Sequence, residues 1–172
     1  CQIVLEDVAV PVESRLGGEG DGYRVALANL ESGRIGIASQ AVGMARSAFE
    51  AALAYARERR TFGKPIIDHQ AVGFRLADMA TEIEAARQMV RHAACLRDAG
   101  QPCLVEASMA KTTATDMAES VCSDALQTLG GYGYLEDHPL ERILRDARVT
   151  RIYEGSNDIQ RLVISRVLAR EG

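Results

Sequence analysis

The chain has 172 residues, of which 47% are hydrophobic and 26% charged, a composition typical of a folded globular domain rather than a disordered chain. Its 20 basic and 24 acidic residues give a net charge of −4, so the composition favours neither nucleic acid nor an anionic membrane as a partner. No apolar run approaches the roughly 20 residues that are needed to cross a bilayer.

Residues 1–12, CQIVLEDVAVPV, largely alternate apolar and polar side chains up to a proline, a pattern that predicts a strand. One strand cannot form a sheet by itself. We therefore expect residues 1–21 to be the last strand and the glycine-rich linker of a β-domain that precedes this chain. The start at Cys1, without an initiator methionine, is also expected of a piece of a longer protein.

Long amphipathic helices are predicted over about 23–60, 66–99 and 103–129, and shorter ones over about 139–150 and 156–170. In the first helix the recurring apolar residues are Ala38, Val42, Ala45, Phe49, Leu53 and Ala56. In the second they are Val72, Leu76, Met79, Ile83, Ala86 and Val90. Short Gly- and Pro-containing connections predict antiparallel neighbours. The fold expected for 22–172 is all-α: an antiparallel four-helix-type bundle with extra short C-terminal helices, preceded by the one residual strand.

The cysteines, Cys1, Cys95, Cys103 and Cys122, show no CxxC spacing, and no histidine lies at metal-ligand spacing from them. We expect buried free thiols in a reducing compartment and no metal site.

The segment RIYEGSNDIQR, residues 151–161, places Glu154 and Gly155 in a tight joint between two predicted helices. Gly155 would let the backbone approach a ligand closely. Partial shielding by Tyr153 could raise the pKa of Glu154 toward a range that suits proton abstraction. The alternative is a solvated glutamate beside a helix-capping glycine, and spacing alone favours that alternative.

Three further segments have a functional and a structural interpretation. In RRTFGKPIIDHQ, residues 59–70, Arg59 and Thr61 could bind a phosphate and Phe62 could pack on a flat ring, or the segment is only a charged helix end with a turn. In QTLGGYGY, residues 127–134, the glycines could pass close to a pyrophosphate or simply cap a helix. In LESGRIG, Glu31 and Arg34 lie one helical turn apart, and a surface ion pair is the default interpretation.

Taken together in chain order, the motifs resemble the C-terminal helical domain of the acyl-CoA dehydrogenases. The matching segments are GRIGIA (33–38), YARERRTFGKPI (55–66), LADMATEIEAAR (76–87), LGGYGY (129–134), RDARV (145–149) and IYEGSNDIQR (152–161). The resemblance implies an FAD enzyme that oxidises a saturated acyl-CoA to the trans-2-enoyl-CoA. A glutamate takes the α-proton in this family while the β-hydride passes to flavin N5, and the glutamate's own N–H and a ribityl hydroxyl polarise the thioester carbonyl.

The resemblance also assigns roles to individual positions. Glu154 matches the base and Gly155 lies beside the thioester. The positions that match flavin contacts are Arg59, Thr61, Phe62 and Gln70. Those that reach the FAD of a neighbouring subunit are Gln127, Gly130 and Gly131. Ser156 and Asp158 match positions near the adenine end, and Glu31 and Arg34 match positions near the CoA chain. Some members place the base immediately before the arginine matched by Arg34, but that residue here is Gly33, which cannot act as a base. Glu31 is a rival carboxylate that matches neither base position.

As partners, the resemblance implies an acyl-CoA with a short or branched chain, electron-transferring flavoprotein as acceptor, and a homo-oligomer, tetramer or dimer, whose FAD sites are completed across subunits. A bacterial cytoplasm or a mitochondrial matrix would suit it. One alternative is an acyl-CoA oxidase-like or nitroalkane-oxidase-like flavoenzyme, although relatives of the latter type have aspartate where Glu154 stands. The other is a non-catalytic helical oligomerisation module. The family's middle β-domain and N-terminal helical domain hold much of the flavin, so the isolated piece could be a folded bundle that binds no FAD and has no activity.

Overall fold

The structure, a computed structural model, describes residues 2–170; Cys1, predicted as a free thiol at the start of a strand, lies outside them. The chain forms helices α1 (Gly22–Glu58), α2 (Gln70–Asp98), α3 (Leu104–Leu129), α4 (Leu140–Val149) and α5 (Asn157–Leu168). Strands β1 (Arg60–Thr61) and β2 (Lys64–Pro65) make a hairpin after α1, and short 3-10 turns occupy Val12–Ser14, Ile66–Asp68 and Gly130–Tyr134. The all-α bundle prediction is confirmed.

Helices α1 and α3 run parallel, and α2 and α4 run back between their ends. At one end Arg34 of α1 donates to Ser108 near the start of α3. At the other end the rings of Tyr55 and Tyr132 lie 6.4 Å apart, beyond the last turn of α3. We call the first the Glu154 end and the second the hairpin end of the bundle.

Alanines dominate the contact between α1 and α3. On α1 the fully buried alanines are Ala38, Ala41, Ala45, Ala48, Ala52 and Ala56, and on α3 they are Ala107, Ala110, Ala114, Ala118 and Ala125. Alanine has the highest helix propensity and a minimal side chain, so both helices are stable and their backbones approach closely. The predicted apolar stripe of α1 is rotated slightly, because Phe49 and Leu53 lie half-buried at its edge.

The hairpin begins where α1 ends and reverses the chain with two residues at positive φ, Phe62 at 49° and Gly63 at 82°. Positive φ at both central positions defines a type I′ turn, which suits the twist of paired strands. Pairing joins Arg60 to Pro65 and Thr61 to Lys64. The predicted second helix therefore begins at Gln70 rather than at 66, after the 3-10 turn.

The structure differs from the prediction at residues 2–12, which form no strand. A strand is stabilised by hydrogen bonds to a neighbouring strand, and within residues 2–170 no strand lies beside this segment. Its apolar side chains are exposed, among them Ile3, Val4, Leu5, Val8 and Val10.

The cysteines of the described range are free thiols. Cys103 and Cys122 are buried as expected, whereas Cys95 is exposed. Burial raises the pKa of Cys122 to about 12, so this thiol is unreactive at neutral pH. None of the helices in residues 2–170 is long and apolar enough to cross a membrane.

Candidate active site

Glu154 lies in the joint between α4 and α5, at a backbone conformation that side chains rarely adopt. Its φ is 54° and that of Gly155 is 83°, both in the left-handed region. Glycine adopts this region freely, but a residue with a Cβ pays about 1–2 kcal/mol. Strain of this kind persists where surrounding contacts enforce it, and it is concentrated at functional sites.

Two fully buried polar side chains, Lys111 and Gln160, donate hydrogen bonds to the joint. Lys111 of α3 donates from Nζ to the Gly155 carbonyl (3.0 Å) and to Oδ1 of Asn157 (2.8 Å). Gln160 of α5 donates from Nε2 to the carbonyls of Glu154 (3.2 Å) and Gly155 (3.0 Å).

The Glu154 carboxylate lies against the backbone of α1 at Gly33. A Cβ built on Gly33 would overlap Oε2 of Glu154 and come within 3.0 Å of its Cδ. Tyr153 fixes the same side of the joint, since its hydroxyl donates to Oε1 of Gln40 at 2.9 Å. The bare helix surface at Gly33 is therefore the space that the carboxylate occupies.

Arg34 and Glu31 do not form the surface ion pair that their spacing favours. Arg34 is buried, with 8% exposure, and its Nη1 donates to Oγ of Ser108 at 3.2 Å. Its buried Nε has no hydrogen-bond partner within residues 2–170. Burial lowers the pKa of Arg34, while the charges of Glu31 and Glu154 act against that shift. The helical period turns Arg34 toward α3, which is why the surface interpretation fails.

Glu31 instead interacts with the connection between α2 and α3. Its Oε1 accepts a hydrogen bond from Sγ of Cys103 (3.2 Å) and lies 3.8 Å from Nη1 of Arg97. Burial and then Glu31 raise the pKa of Cys103, so the thiol stays protonated and can donate. The Glu31 carboxylate, the rival candidate for the base, thus already interacts with Cys103 and Arg97.

The remaining site candidates fall into two groups. Ser156 and Asp158 begin α5 next to Glu154, and Oδ1 of Asp158 accepts from Arg161 at 3.1 Å. The others lie at the hairpin end: Arg59, Thr61, Phe62, Gln70, Gln127, Gly130 and Gly131. About 25 residues of α1 separate Gly33 from that end, a distance of about 38 Å along the helix.

Four of the hairpin-end residues, Arg59, Phe62, Gly130 and Gly131, have exposed groups that suit a dinucleotide. Arg59 is exposed and makes no ion pair within residues 2–170, and a Cβ on Gly130 or Gly131 would meet nothing within 4 Å. Phe62 is 98% exposed, with its ring edge-on to His69 at 6.0 Å. A free guanidinium, open glycine backbone and an exposed flat ring fit a pyrophosphate with an attached ring system.

Sequence reasoning did not identify Lys111, Asn157 or Gln160 as residues whose side chains form hydrogen bonds at the joint. The only signal was the position of Lys111 on the alanine-rich face of α3, one turn from Ala107 and Ala114.

Sequence reasoning also did not identify the ion pairs that dock α4 and α5 on α3. Asp116 binds Arg151 (2.6 Å) and Arg161 (3.0 Å), and Glu119 binds Arg148 (2.9 Å) and Arg151. Although burial acts to raise it, hydrogen bonds from Arg151 and Arg148 hold the pKa of Glu119 below its ordinary value. The pairs of Arg148 and Arg151, at and just beyond the end of α4, fix where the Glu154 joint begins.

Comparison with known protein families shows which family the chain belongs to. A family model described as acyl-CoA dehydrogenase, C-terminal domain, matches residues 20–169, and the chain belongs to that family. It is 54% identical to an acyl-CoA dehydrogenase of Bacillus subtilis over 97% of its own length and 44% of that protein.

Solved structures of similar proteins have the same fold as this chain. Butyryl-CoA dehydrogenase from Megasphaera elsdenii superposes with a TM-score of 0.95 at 47% identity, over 97% of this chain and 44% of the other. A chain from a structure described as the electron transferring flavoprotein of Acidaminococcus fermentans, in a study of flavin-based electron bifurcation, gives a TM-score of 0.95 at 50% identity, over 97% and 44%. The chain thus spans less than half the length of these relatives.

Proposed function

We propose that this chain is the C-terminal part of an FAD-dependent acyl-CoA dehydrogenase, in which Glu154 removes the α-proton of a saturated acyl-CoA thioester. The observation that carries the proposal is the placement of the Glu154 carboxylate over Gly33, on a left-handed turn that accepts hydrogen bonds from buried side chains. FAD, when bound, supplies the hydride acceptor for the β-hydrogen, and the product is the trans-2-enoyl-CoA.

The surroundings of Glu154 suit proton removal from a weakly acidic carbon. Negative charge develops on the thioester oxygen as the α-proton leaves, and fixed donors must be aimed at it. Within residues 2–170 the backbone N–H of Glu154 has no hydrogen-bond acceptor, so it is free for this role. Arg34 and Lys111 are buried cations that are hydrogen-bonded to neutral groups, so their positive field also favours the developing charge.

The separation of the two groups of flavin candidates supports a cofactor site shared between subunits. Ser156 and Asp158 lie at the Glu154 end, and the group around Arg59 and Gly130 lies about 38 Å away along α1. One extended dinucleotide cannot contact both groups of a single chain. We propose a homo-oligomer, a tetramer or a dimer, in which each flavin meets the hairpin end of a neighbouring chain.

For the substrate we propose a short or branched acyl-CoA, in line with the butyryl-CoA dehydrogenase among the similar structures. For the electron acceptor we propose electron-transferring flavoprotein, which the description of another similar structure names. The free thiols suit a reducing compartment, a bacterial cytoplasm or a mitochondrial matrix.

The test is an anaerobic titration of the flavin-loaded full-length protein with saturated acyl-CoAs of increasing length and branching, following loss of the oxidised flavin absorbance. Bleaching that is strongest with short chains is expected, and the matching enoyl-CoA serves as the control that cannot reduce the flavin. Admitting oxygen afterwards separates a dehydrogenase, which reoxidises slowly, from an oxidase. A loaded protein that no acyl-CoA bleaches would overturn the proposal.

A further inference from the structure

Lys111 is the largest fully buried side chain in the part of the chain that the structure describes. Lysine is almost never buried completely unless its charge is paired. No carboxylate within residues 2–170 forms an ion pair with Lys111; its two partners are the Gly155 carbonyl and the Asn157 amide oxygen. A helix that packs mainly through alanine thus retains a lysine whose ammonium donates to Gly155 in the joint and to Asn157 at the start of α5.

Two donors converge on one carbonyl oxygen. Nζ of Lys111 and Nε2 of Gln160 each lie 3.0 Å from the oxygen of Gly155. Both lone pairs of this oxygen are therefore used, one by a side chain from α3 and the other by a side chain from α5. The peptide group after Gly155 cannot rotate without breaking both bonds.

Asn157 extends the arrangement into α3. Its Oδ1 accepts from Lys111, and its Nδ2 donates to Oγ1 of Thr115 and to Oδ1 of Asp116, both at 2.9 Å. Its backbone N–H closes the joint onto the Arg151 carbonyl at 3.0 Å. Lys111 therefore has an acceptor whose own orientation is fixed.

We propose that Lys111 and Gln160 are positioning residues that clamp the Gly155 carbonyl, keep Glu154 and Gly155 left-handed, and thereby hold the Glu154 carboxylate over Gly33. A lysine suits the task because a charge-assisted hydrogen bond is shorter and stronger than a neutral one. Burial gives the ammonium no competing water, so the bonds that satisfy it are the ones that shape the turn. The catalytic consequence rests on the proposed function, whereas the clamp itself does not.

The experiment uses the flavin-loaded full-length protein and three substitutions. Lys111→Met keeps the length of the side chain but removes its donor. Gln160→Met removes the second donor from the same carbonyl, and it carries the test if Lys111→Met fails to fold. Arg161→Gln is the matched control, since it breaks the contacts of Arg161 with Asp116 and Asp158 but leaves the Gly155 carbonyl untouched.

Two readouts are measured for each protein. The first is amide hydrogen exchange of peptides covering residues 150–160, with peptides from α2 as the internal reference. The second is the rate of flavin reduction at saturating acyl-CoA, set beside the dissociation constant for the same acyl-CoA. Both methionine variants should exchange at least tenfold faster at 150–160 only, and should reduce flavin at least tenfold more slowly with a dissociation constant within threefold of wild type.

Unchanged exchange at 150–160 in the methionine variants would overturn the clamp. Equal losses in Arg161→Gln would also overturn it, because general docking of α5 would then explain the effect. If the wild-type protein is not reduced by any acyl-CoA, the proposed function fails, while the exchange readout still decides whether the clamp exists.

Discussion

The carboxylate of Glu154 lies against the bare backbone of Gly33, although 121 positions separate the two residues in the sequence. The contact joins the first third of α1 to the joint between α4 and α5. It gives Gly33 a defined part in the site, because the space that a side chain would fill is the space that the carboxylate uses.

Gly33→Ala should displace the Glu154 carboxylate, because the new methyl group would overlap Oε2. We expect flavin reduction by acyl-CoA to slow at least about tenfold, since displacing a reacting group by about 1 Å can lower a rate by roughly a hundredfold. The measurement is a stopped-flow reduction rate in the full-length protein. Gly36→Ala is the matched control: Gly36 is exposed on the same helix, and a Cβ there meets nothing within 4 Å. It should leave the rate unchanged and stabilise α1 by about 0.5–1 kcal/mol; equal rates in both variants would contradict the prediction.

Gly155→Ala should destabilise the chain more than Gly63→Ala does. Both glycines have nearly the same φ, 83° and 82°, so the backbone penalty is shared. At Gly155 the new Cβ would also meet Nε2 of Gln160, whereas at Gly63 it would meet nothing within 4 Å. We expect about 1 kcal/mol for Gly63→Ala and about 2–4 kcal/mol for Gly155→Ala, from strain plus a broken buried hydrogen bond. Urea unfolding of the two variants measures the difference. Equal losses in the free energy of unfolding would contradict the prediction and show that the Gln160 side chain moves aside without destabilising the fold.

Stability should depend on pH through Lys111. Burial lowers the pKa of Lys111 from 10.5 to about 8 in the folded state. Between those two values the unfolded chain binds more protons than the folded one, so the free energy of unfolding rises with pH. The penalty for burying the charge is therefore complete below about pH 8 and disappears toward pH 10.5.

Lys111→Met isolates this contribution, because every other titrating group is present in both proteins. The free energy of unfolding of wild type minus that of the variant should increase between pH 7 and pH 10, measured by urea unfolding at each pH. A difference that stays flat across this range would mean that Lys111 titrates near its ordinary pKa in the fold.

Phe62 occupies a turn position that favours asparagine or glycine. It has a φ of 49° in a type I′ turn and is 98% exposed, so it contributes nothing to the core. Phe62→Asn should stabilise the chain by about 0.5–1 kcal/mol and yet weaken flavin retention in the full-length protein, if the ring packs on the cofactor. Thermal melting and the ratio of bound flavin to protein measure the two effects. A variant that is more stable and keeps its flavin would exclude Phe62 from the cofactor site.

Helix positions could be predicted because the apolar period and the Gly and Pro breakers are local signals. The strand predicted at residues 2–12 does not form. The alternating pattern is local, but a strand also needs hydrogen bonds to a neighbouring strand, and the described residues provide none for this segment. The arrangement of the candidate active site was harder to predict from the sequence than the helices. Burial of Arg34 and Lys111 arises from which face of each helix meets its neighbour, and Glu154 reaches Gly33 through the tertiary packing of the joint against α1. Resemblance to a family indicated Glu154 where spacing alone favoured a surface residue.

The most direct test of Glu154 as the base is the rate of flavin reduction in Glu154→Gln, measured anaerobically on the full-length protein with its best acyl-CoA. Glutamine keeps the shape and the contact with Gly33 but cannot accept the proton, so the rate should fall at least about a hundredfold while acyl-CoA still binds. Glu31→Gln, run beside it, should lose far less, because Glu31 is held by Arg97 and Cys103. Reduction that survives in Glu154→Gln and disappears in Glu31→Gln would contradict the assignment and make Glu31 the base.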